Sequence, residues 1–227
     1  MFERMVRRIR REVDRRRLKD PHWAMMFDED PSGEVVSIDC ETTGFDLKTD
    51  EVIYVSAIRV AGNRILTSSA FNAMIRPESA AMRAEAIRVH QLRAVDVENG
   101  RPMREVIPEL LDFIGGRPVV GYWIDYDVSM LDRCTTRAFG FRLPNRRIEV
   151  SELYYGLKYG NAPQGTQIDL SFNAISRDLG LRELPAHDAF NDALSAAEMY
   201  VQLTDMQARG RTIARDRVDE GAAGITY

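Results

Sequence analysis

The order in which extended and helical runs follow one another constrains the fold of this chain most strongly. Residues 34–40 alternate side chains with the period of two that is typical of a strand, and further β-type runs cover 52–61 and 65–75. The last two runs meet across Gly62-Asn63, a dipeptide typical of tight hairpins. We therefore expect the first three strands to form an antiparallel meander.

Helical and extended runs alternate in the rest of the chain. The patterns predict helical pieces over 79–115 and strands over 118–122 and 146–150. They also predict helices over 125–139, 171–179 and 188–205, and one more helix that begins after a cap at Ser151. A meander followed by such alternation predicts an α/β domain, with a mixed five-stranded sheet flanked by helices.

Length and composition indicate one cytoplasmic domain with appendages. We divide the 227 residues into a basic arm and linker over 1–33, a domain over 34–208 and a flexible tail over 209–227. The apolar stretch 23–27 is too short for a signal peptide core, and no apolar run approaches the ~18 residues of a membrane span. Two cysteines fit a reducing compartment.

Charge is distributed unevenly along the chain. Residues 1–20 carry nine Arg or Lys and four Asp or Glu, a net charge of +5, which leaves −9 for the rest of a chain whose total is −4. A cationic arm on an acidic body favours polyanionic partners. An ordinary solvated amphipathic helix is the alternative, because Met5, Ile9 and Val13 share one helical face.

A pair of acids closes the first predicted strand, in DCETTG. Asp39 and Glu41 are two residues apart, so both project from one face of the strand, about 7 Å apart. They are able to share a divalent cation, although two solvent-facing acids at a strand end give the same pattern. The turn formed by Thr42, Thr43 and Gly44 would bring backbone and hydroxyl groups near a sugar or phosphate.

A third acid, Asp127, lies in the first turn of a predicted helix. It precedes Met130 by three residues and Leu131 by four, which places it on the inward face of the helix. This makes it a candidate metal ligand. The alternative is an acid that interacts with the helix dipole, a role that Asp125 would fill equally well.

His187 and Asp192 flank the start of an alanine-rich helix. Alanines at 189, 193, 196 and 197 allow close packing onto a sheet, which would aim Asp192 at the strand of Asp39. Because imidazole titrates near neutral pH, His187 is a candidate general base, and a capping or surface histidine is the alternative. Asp188 is expected to cap the helix.

The segments DCETTG, YDVSML and HDAFNDA together resemble the three motifs of the DEDDh-type 3′–5′ exonuclease superfamily, over about residues 34–205. This superfamily includes the epsilon proofreading subunit of bacterial DNA polymerase III, ribonuclease T and oligoribonuclease. The resemblance implies a ribonuclease H-like fold. It also implies two Mg²⁺ or Mn²⁺ ions, held by Asp39, Glu41, Asp127 and Asp192.

The same resemblance implies a mechanism. One ion would activate a water and the other would stabilise the leaving 3′ oxygen, with Glu41 and His187 as catalytic residues and His187 taking the proton of the water. Nucleoside 5′-monophosphates would be released. Substrate contacts are expected from Thr42, Thr43, Gly44 and from His90, whose segment Arg88-Val89-His90 partly matches a His-Gly-Ile segment of epsilon-like members.

The second motif departs from the superfamily. Where relatives usually show His-Asn-Ala, this chain has Tyr122-Trp123-Ile124. The retained Asp127 predicts that metal binding is kept. The two rings either stack on bases or belong to the core.

These features lead to one functional hypothesis and two alternatives. The first is an epsilon-like, metal-dependent proofreading exonuclease acting on single-stranded or frayed 3′ ends of DNA. An exonuclease of RNA or of short oligonucleotides is the second. The third is a non-catalytic, polymerase-associated subunit whose basic arm and Trp23–Phe27 segment dock on a polymerase or on nucleic acid.

Overall fold

The computed structural model describes residue 9 and residues 11–28, 30–79, 82–185 and 187–215. Residues 1–8 and 10 of the predicted basic arm lie outside the described residues, and so does the end of the predicted tail, 216–227. Residues 11–16 are helical.

Seven strands form one sheet within the described residues. They are β1 (Val35–Thr42), β2 (Val52–Ala61), β3 (Arg64–Ile65), β4 (Phe71–Arg76), β5 (Arg101–Pro102), β6 (Val119–Gly121) and β7 (Arg147–Glu149). The order is β5-β4-β2-β1-β6-β7, with β3 paired to β2. Strand β2 pairs antiparallel with β1, β3 and β4, whereas β1/β6, β6/β7 and β4/β5 are parallel. The predicted mixed sheet, a meander followed by parallel strands, is confirmed, and two strands of two residues are added to it.

Helices cover both faces of the sheet. They are α1 (Ala84–His90), α2 (Ala94–Val97), α3 (Met103–Ile114), α4 (Ile124–Phe139), α5 (Val150–Lys158), α6 (Phe172–Asp178) and α7 (Ala189–Ala208), with 3₁₀ turns at Pro21–Phe27 and Thr67–Ser69. Helices α3 and α4 pack on one face, and α5, α6 and α7 pack on the other. Across the described ranges, no helix is long and apolar enough to cross a membrane.

The alternation in β1 decides which side chains face which layer. Val36, Ile38 and Cys40 enter the core formed with α3 and α4. The alanines of α7 are buried and let that helix lie close to β1, where the Ser37 hydroxyl donates to the Ala193 carbonyl at 2.7 Å. Side chains of the same parity as Ser37 therefore point toward α7, and these include Asp39 and Glu41.

Two local predictions are wrong in detail. The predicted strand over 65–75 is interrupted by the 3₁₀ turn Thr67–Ser69, where the Ser69 hydroxyl donates to the Leu66 carbonyl at 3.3 Å. Hydroxyl groups that bond nearby backbone offer the chain an alternative to the strand ladder. Helix α5 is capped by Glu149 rather than by Ser151, because the Glu149 carboxylate accepts from the Ser151 N–H.

The segment before the sheet packs into the core. Trp23, Met26 and Phe27 are buried, and the Trp23 ring lies 4.7 Å from that of Phe139. Because these side chains are buried within their own chain, the hypothesis that they dock on a partner is wrong. The domain limits at 34 and 208 stay a prediction, but residues outside them contribute to the core.

Candidate active site

Chain direction brings the motif residues to one edge of the sheet. Strands β1 and β6 are parallel, so their carboxyl ends share an edge. Asp39 and Glu41 lie near the end of β1, Asp127 lies in the first turn of the helix that follows β6, and Asp192 lies in the first turn of α7. Side chains from widely separated parts of the sequence therefore meet there.

Three of the four acids converge. Oxygen atoms of Asp39, Glu41 and Asp192 all lie within 4.8 Å of one another, a grouping able to hold a metal ion. Asp127 is buried beside them, and its Oδ1 accepts from the Cys40 N–H at 3.1 Å. It is not part of the converging group, but its charge is the second cause, after burial, of the raised pKa of Asp39.

The electrostatics of the cluster oppose full ionisation. Burial, followed by the charges of Asp192 and Asp188, raises the pKa of Glu41 to about 7. Burial also raises the pKa of Asp39 and of Asp127 well above the ordinary aspartate range. Neighbouring carboxylates in a poorly solvated site favour the protonated forms unless a cation offsets their charge. An oxygen-only donor set of this kind suits Mg²⁺ or Mn²⁺.

His187 lies next to Asp192 at the exposed side of the carboxylate cluster. Its side chain is exposed, and its backbone is left-handed with a φ of 61°. The His187 N–H donates to Oδ2 of Asp192 at 3.0 Å. Burial raises the pKa of Asp192, and this hydrogen bond and the charge of His187 offset only part of the rise. Asp188 caps α7 as predicted, accepting from the Asn191 N–H at 3.1 Å.

The turn after β1 is held by its own side chains. Thr42 Oγ1 donates to the Gly44 carbonyl at 2.6 Å, and Thr43 Oγ1 donates to Asp50 Oδ1 at 3.2 Å. A methyl group on Gly44 would lie 2.5 Å from Asp50 Oδ2, so the turn requires glycine there. These hydroxyls are thus engaged within the protein, and their predicted contacts with substrate stay a prediction.

His90 is a buried part of the same support. Its Nδ1 accepts from the Leu92 N–H at 3.0 Å, so the proton lies on Nε2, which donates to the Thr42 carbonyl at 3.1 Å. Burial lowers the pKa of His90, which keeps the ring neutral. A direct substrate contact by His90 stays a prediction, since both nitrogens bond the protein.

Two supporting residues were missed in the sequence. The Tyr126 hydroxyl donates to the Gly44 carbonyl at 2.9 Å and so ties α4 to the turn. The Glu149 carboxylate accepts from the Ile124 N–H at 3.1 Å at the start of α4. The only sequence signal for Tyr126 is its place next to Asp127, and Glu149 gives none.

Comparisons with known proteins agree with this architecture. The exonuclease family model RNase_T matches residues 36–200. The epsilon subunit of DNA polymerase III from Aquifex aeolicus is 28% identical over 192 residues, which cover 82% of this chain and 87% of that protein. The PolC-type DNA polymerase III of Thermotoga maritima is 24% identical over 174 residues, 77% of this chain and 12% of that protein.

The fold also matches a solved structure. The zinc-bound complex of E. coli exonuclease I with single-stranded DNA gives a TM-score of 0.66 at 15% identity, covering 78% of this chain and 42% of that chain. The chain therefore spans less than half of exonuclease I and about an eighth of PolC. Because the family model covers most of its length, the chain belongs to the RNase_T exonuclease family and is a 3′–5′ exonuclease of the DEDDh superfamily.

Proposed function

We propose that this exonuclease hydrolyses DNA from the 3′ end and releases nucleoside 5′-monophosphates, using two divalent ions and His187 as general base. The observation that carries the proposal is the convergence of Asp39, Glu41 and Asp192 within 4.8 Å at the edge of the sheet. Such a cluster is costly to keep ionised without cations.

The ligand set would be the three converging acids and Asp127. Oδ1 of Asp127 accepts a hydrogen bond from the Cys40 N–H, so Oδ2 of Asp127 is the atom proposed as a metal ligand. Bound Mg²⁺ or Mn²⁺ ions would lower the pKa of water and offset the negative charge that develops during phosphodiester hydrolysis.

The proposed base is His187. Its exposed imidazole is accessible to water, and its backbone N–H bond to Asp192 fixes its place beside the carboxylates. An imidazole is the side chain that enzymes most often use to accept a proton in such a step. Glu41, whose pKa is raised to about 7, would have to release its proton before it holds a cation.

DNA is the proposed substrate class, as single-stranded or frayed 3′ ends. Support comes from relatives that are DNA polymerase III subunits and from the exonuclease I complex with single-stranded DNA. Association with a polymerase through the basic arm is proposed on the same ground. Residues 1–8 and 10 of that arm lie outside the described residues.

The test uses a single-stranded DNA oligomer labelled at either end, with Mg²⁺, Mn²⁺ or EDTA. Asp39→Asn should abolish release of mononucleotides from the 3′ end, and His187→Ala should lower kcat roughly 10²- to 10⁴-fold. Asp125→Asn is the matched control, because the Asp125 side chain is 80% exposed and lies outside the cluster. Unchanged hydrolysis by Asp39→Asn, or full activity in EDTA, would overturn the proposal.

An RNA oligomer of the same sequence tests the substrate class in parallel. Faster degradation of RNA than of DNA would replace DNA by RNA in the proposal, because the 2′-OH is then a favourable contact.

A further inference from the structure

Trp123 occupies a position that local rules assign to other residues. It is the N-cap of α4, with φ 59° and ψ 33°, and its side chain makes no capping hydrogen bond. N-caps favour Ser, Thr, Asp or Asn, and the left-handed region favours Gly or Asn. The ring is also 70% exposed. A residue that is unfavourable in capping, backbone conformation and burial is a candidate for a functional role.

The surroundings hold the ring in place without needing it for the fold. Glu149 accepts from the Ile124 N–H at 3.1 Å, so the start of α4 is capped by a side chain from β7. The indole stacks on Tyr122, with ring centroids 6.2 Å apart and planes 14° apart. Tyr122 is itself fixed, because its hydroxyl donates to the Leu170 carbonyl at 3.1 Å.

The backbone of Trp123 lies about one helical turn from Asp127. The Trp123 carbonyl accepts from the Tyr126 N–H at 2.8 Å in the first turn of α4. Asp127 follows four residues after Trp123, about one helical turn or ~6 Å along the axis. A nucleotide bound at the carboxylates would therefore lie close to Trp123, whose indole stacks on Tyr122 and is largely exposed.

We infer that Trp123 is a stacking platform for an unpaired base of the substrate strand next to the scissile phosphate. This inference rests on the proposed function, since it assigns a substrate contact at the same site. Every base presents a flat face to an aromatic ring, so the contact tolerates any base but requires it to be unpaired. Trp123 would therefore favour single-stranded or frayed ends over paired ends.

Three variants separate this role from a structural one. Trp123→Gly removes the ring and suits the left-handed backbone, so the unfolding temperature should not fall, while the Kd for single-stranded DNA should rise roughly fivefold to a hundredfold. Trp123→Phe should retain most of the affinity. The control is Tyr155→Ala, whose ring on α5 is 41% exposed, and it should bind like the unmodified protein. A lower unfolding temperature with unchanged Kd in Trp123→Gly would overturn the inference.

Fluorescence gives a readout that does not depend on turnover. The chain has two tryptophans, and Trp23 is 5% exposed, so quenching by added DNA reports on Trp123. In Asp39→Asn protein, which should not degrade the strand, a DNA oligomer should quench the emission. The quenching should be lost in the double variant that also carries Trp123→Gly. Equal quenching in both proteins would contradict the assignment.

Oligomers with one abasic nucleotide at each of the four 3′-terminal positions locate the stacked base. At one position the abasic nucleotide should weaken binding about as much as Trp123→Gly does, and binding by Trp123→Gly should be insensitive to an abasic nucleotide at that position.

Failure of this inference differs from failure of the proposed function. DNA hydrolysis with equal abasic sensitivity in the unmodified protein and in Trp123→Gly refutes only the stacking. Quenching and abasic sensitivity without any hydrolysis in Mg²⁺ or Mn²⁺ would refute the exonuclease mechanism and leave the stacking role intact.

Discussion

Replacing Glu41 by Gln should change how the stability of the metal-free protein depends on pH. Glu41 is 8% exposed, lies beside Asp39 and Asp192, and has its pKa raised to about 7 from an ordinary value of 4.5. Glutamine has nearly the same shape but cannot ionise. The variant therefore removes one charge from the cluster with little change in packing.

The magnitude follows from the pKa rise. At ~1.36 kcal/mol per pKa unit, a rise from 4.5 to about 7 corresponds to at most about 3 kcal/mol. Because the pKa in the folded state lies above that in the unfolded state, this contribution is fully present below pH 4.5. It is lost as pH rises through about 7, where Glu41 ionises among other carboxylates.

Urea denaturation in EDTA at pH 5, 6, 7 and 8 measures this effect. The free energy of unfolding of the unmodified protein should fall toward pH 8, and the fall should be smaller in Glu41→Gln by up to about 3 kcal/mol. Some slope should remain, since burial also raises the pKa of Asp39 and Asp127. Mg²⁺ should restore stability at pH 8 in the unmodified protein more than in the variant.

The matched control is Glu98→Gln, which changes an exposed glutamate at the end of α2. It should follow the profile of the unmodified protein. If Glu41→Gln also follows that profile at every pH in EDTA, Glu41 is not held among other carboxylates as described, and the electrostatic argument for a cation site fails.

Three further variants test the core packing, the cap of α7 and the turn after β1. Trp23→Ala should lower the free energy of unfolding, measured in urea, by roughly 3 to 5 kcal/mol, because the ring is buried against Phe139. A loss below ~1 kcal/mol would contradict that packing. Asp188→Ala should lower the free energy of unfolding by ~1 kcal/mol, because it removes the hydrogen bond from the Asn191 N–H. Asp188→Asn should keep most of that stability, and equal losses in the two variants would refute the capping role. Gly44→Ala should lower both the unfolding temperature and the exonuclease activity, since the methyl group would lie 2.5 Å from the side chains of Arg83 and Asp50. Unchanged stability and activity would show that the turn accommodates the methyl group.

Features set by local periodicity were predictable from the sequence. The alternation in β1 predicted which side chains face each layer, and the alanines of α7 predicted that this helix packs close to the sheet. Both depend on neighbours a few residues apart. The convergence of Asp39 with Asp192 followed from the same two facts, because the alternation placed Asp39 on the face opposite Ile38 and the alanines marked the face of α7 that packs on the sheet.

Features set by distant contacts were not predictable. A tryptophan in a proline-containing linker reads equally well as a docking residue or as core, and only packing against Phe139 decides between them. The cap of α5 shows the same limit at short range: Ser151 has the better capping propensity, but Glu149 is placed by β7 to accept the bond. In both cases tertiary position outweighs local preference.

Backbone strain in the described part of the chain is concentrated around the carboxylates. Non-glycine residues with positive φ are Gln91, Trp123 and His187. Gln91 follows the histidine that supports the end of β1, Trp123 is the N-cap of α4 one turn before Asp127, and His187 donates its N–H to Asp192. Each such conformation costs of order 1–3 kcal/mol and persists only where the surroundings hold it. The strained backbone and the unfavourable charges thus lie in the same place, because a fold that holds several acids together cannot also optimise every local conformation around them.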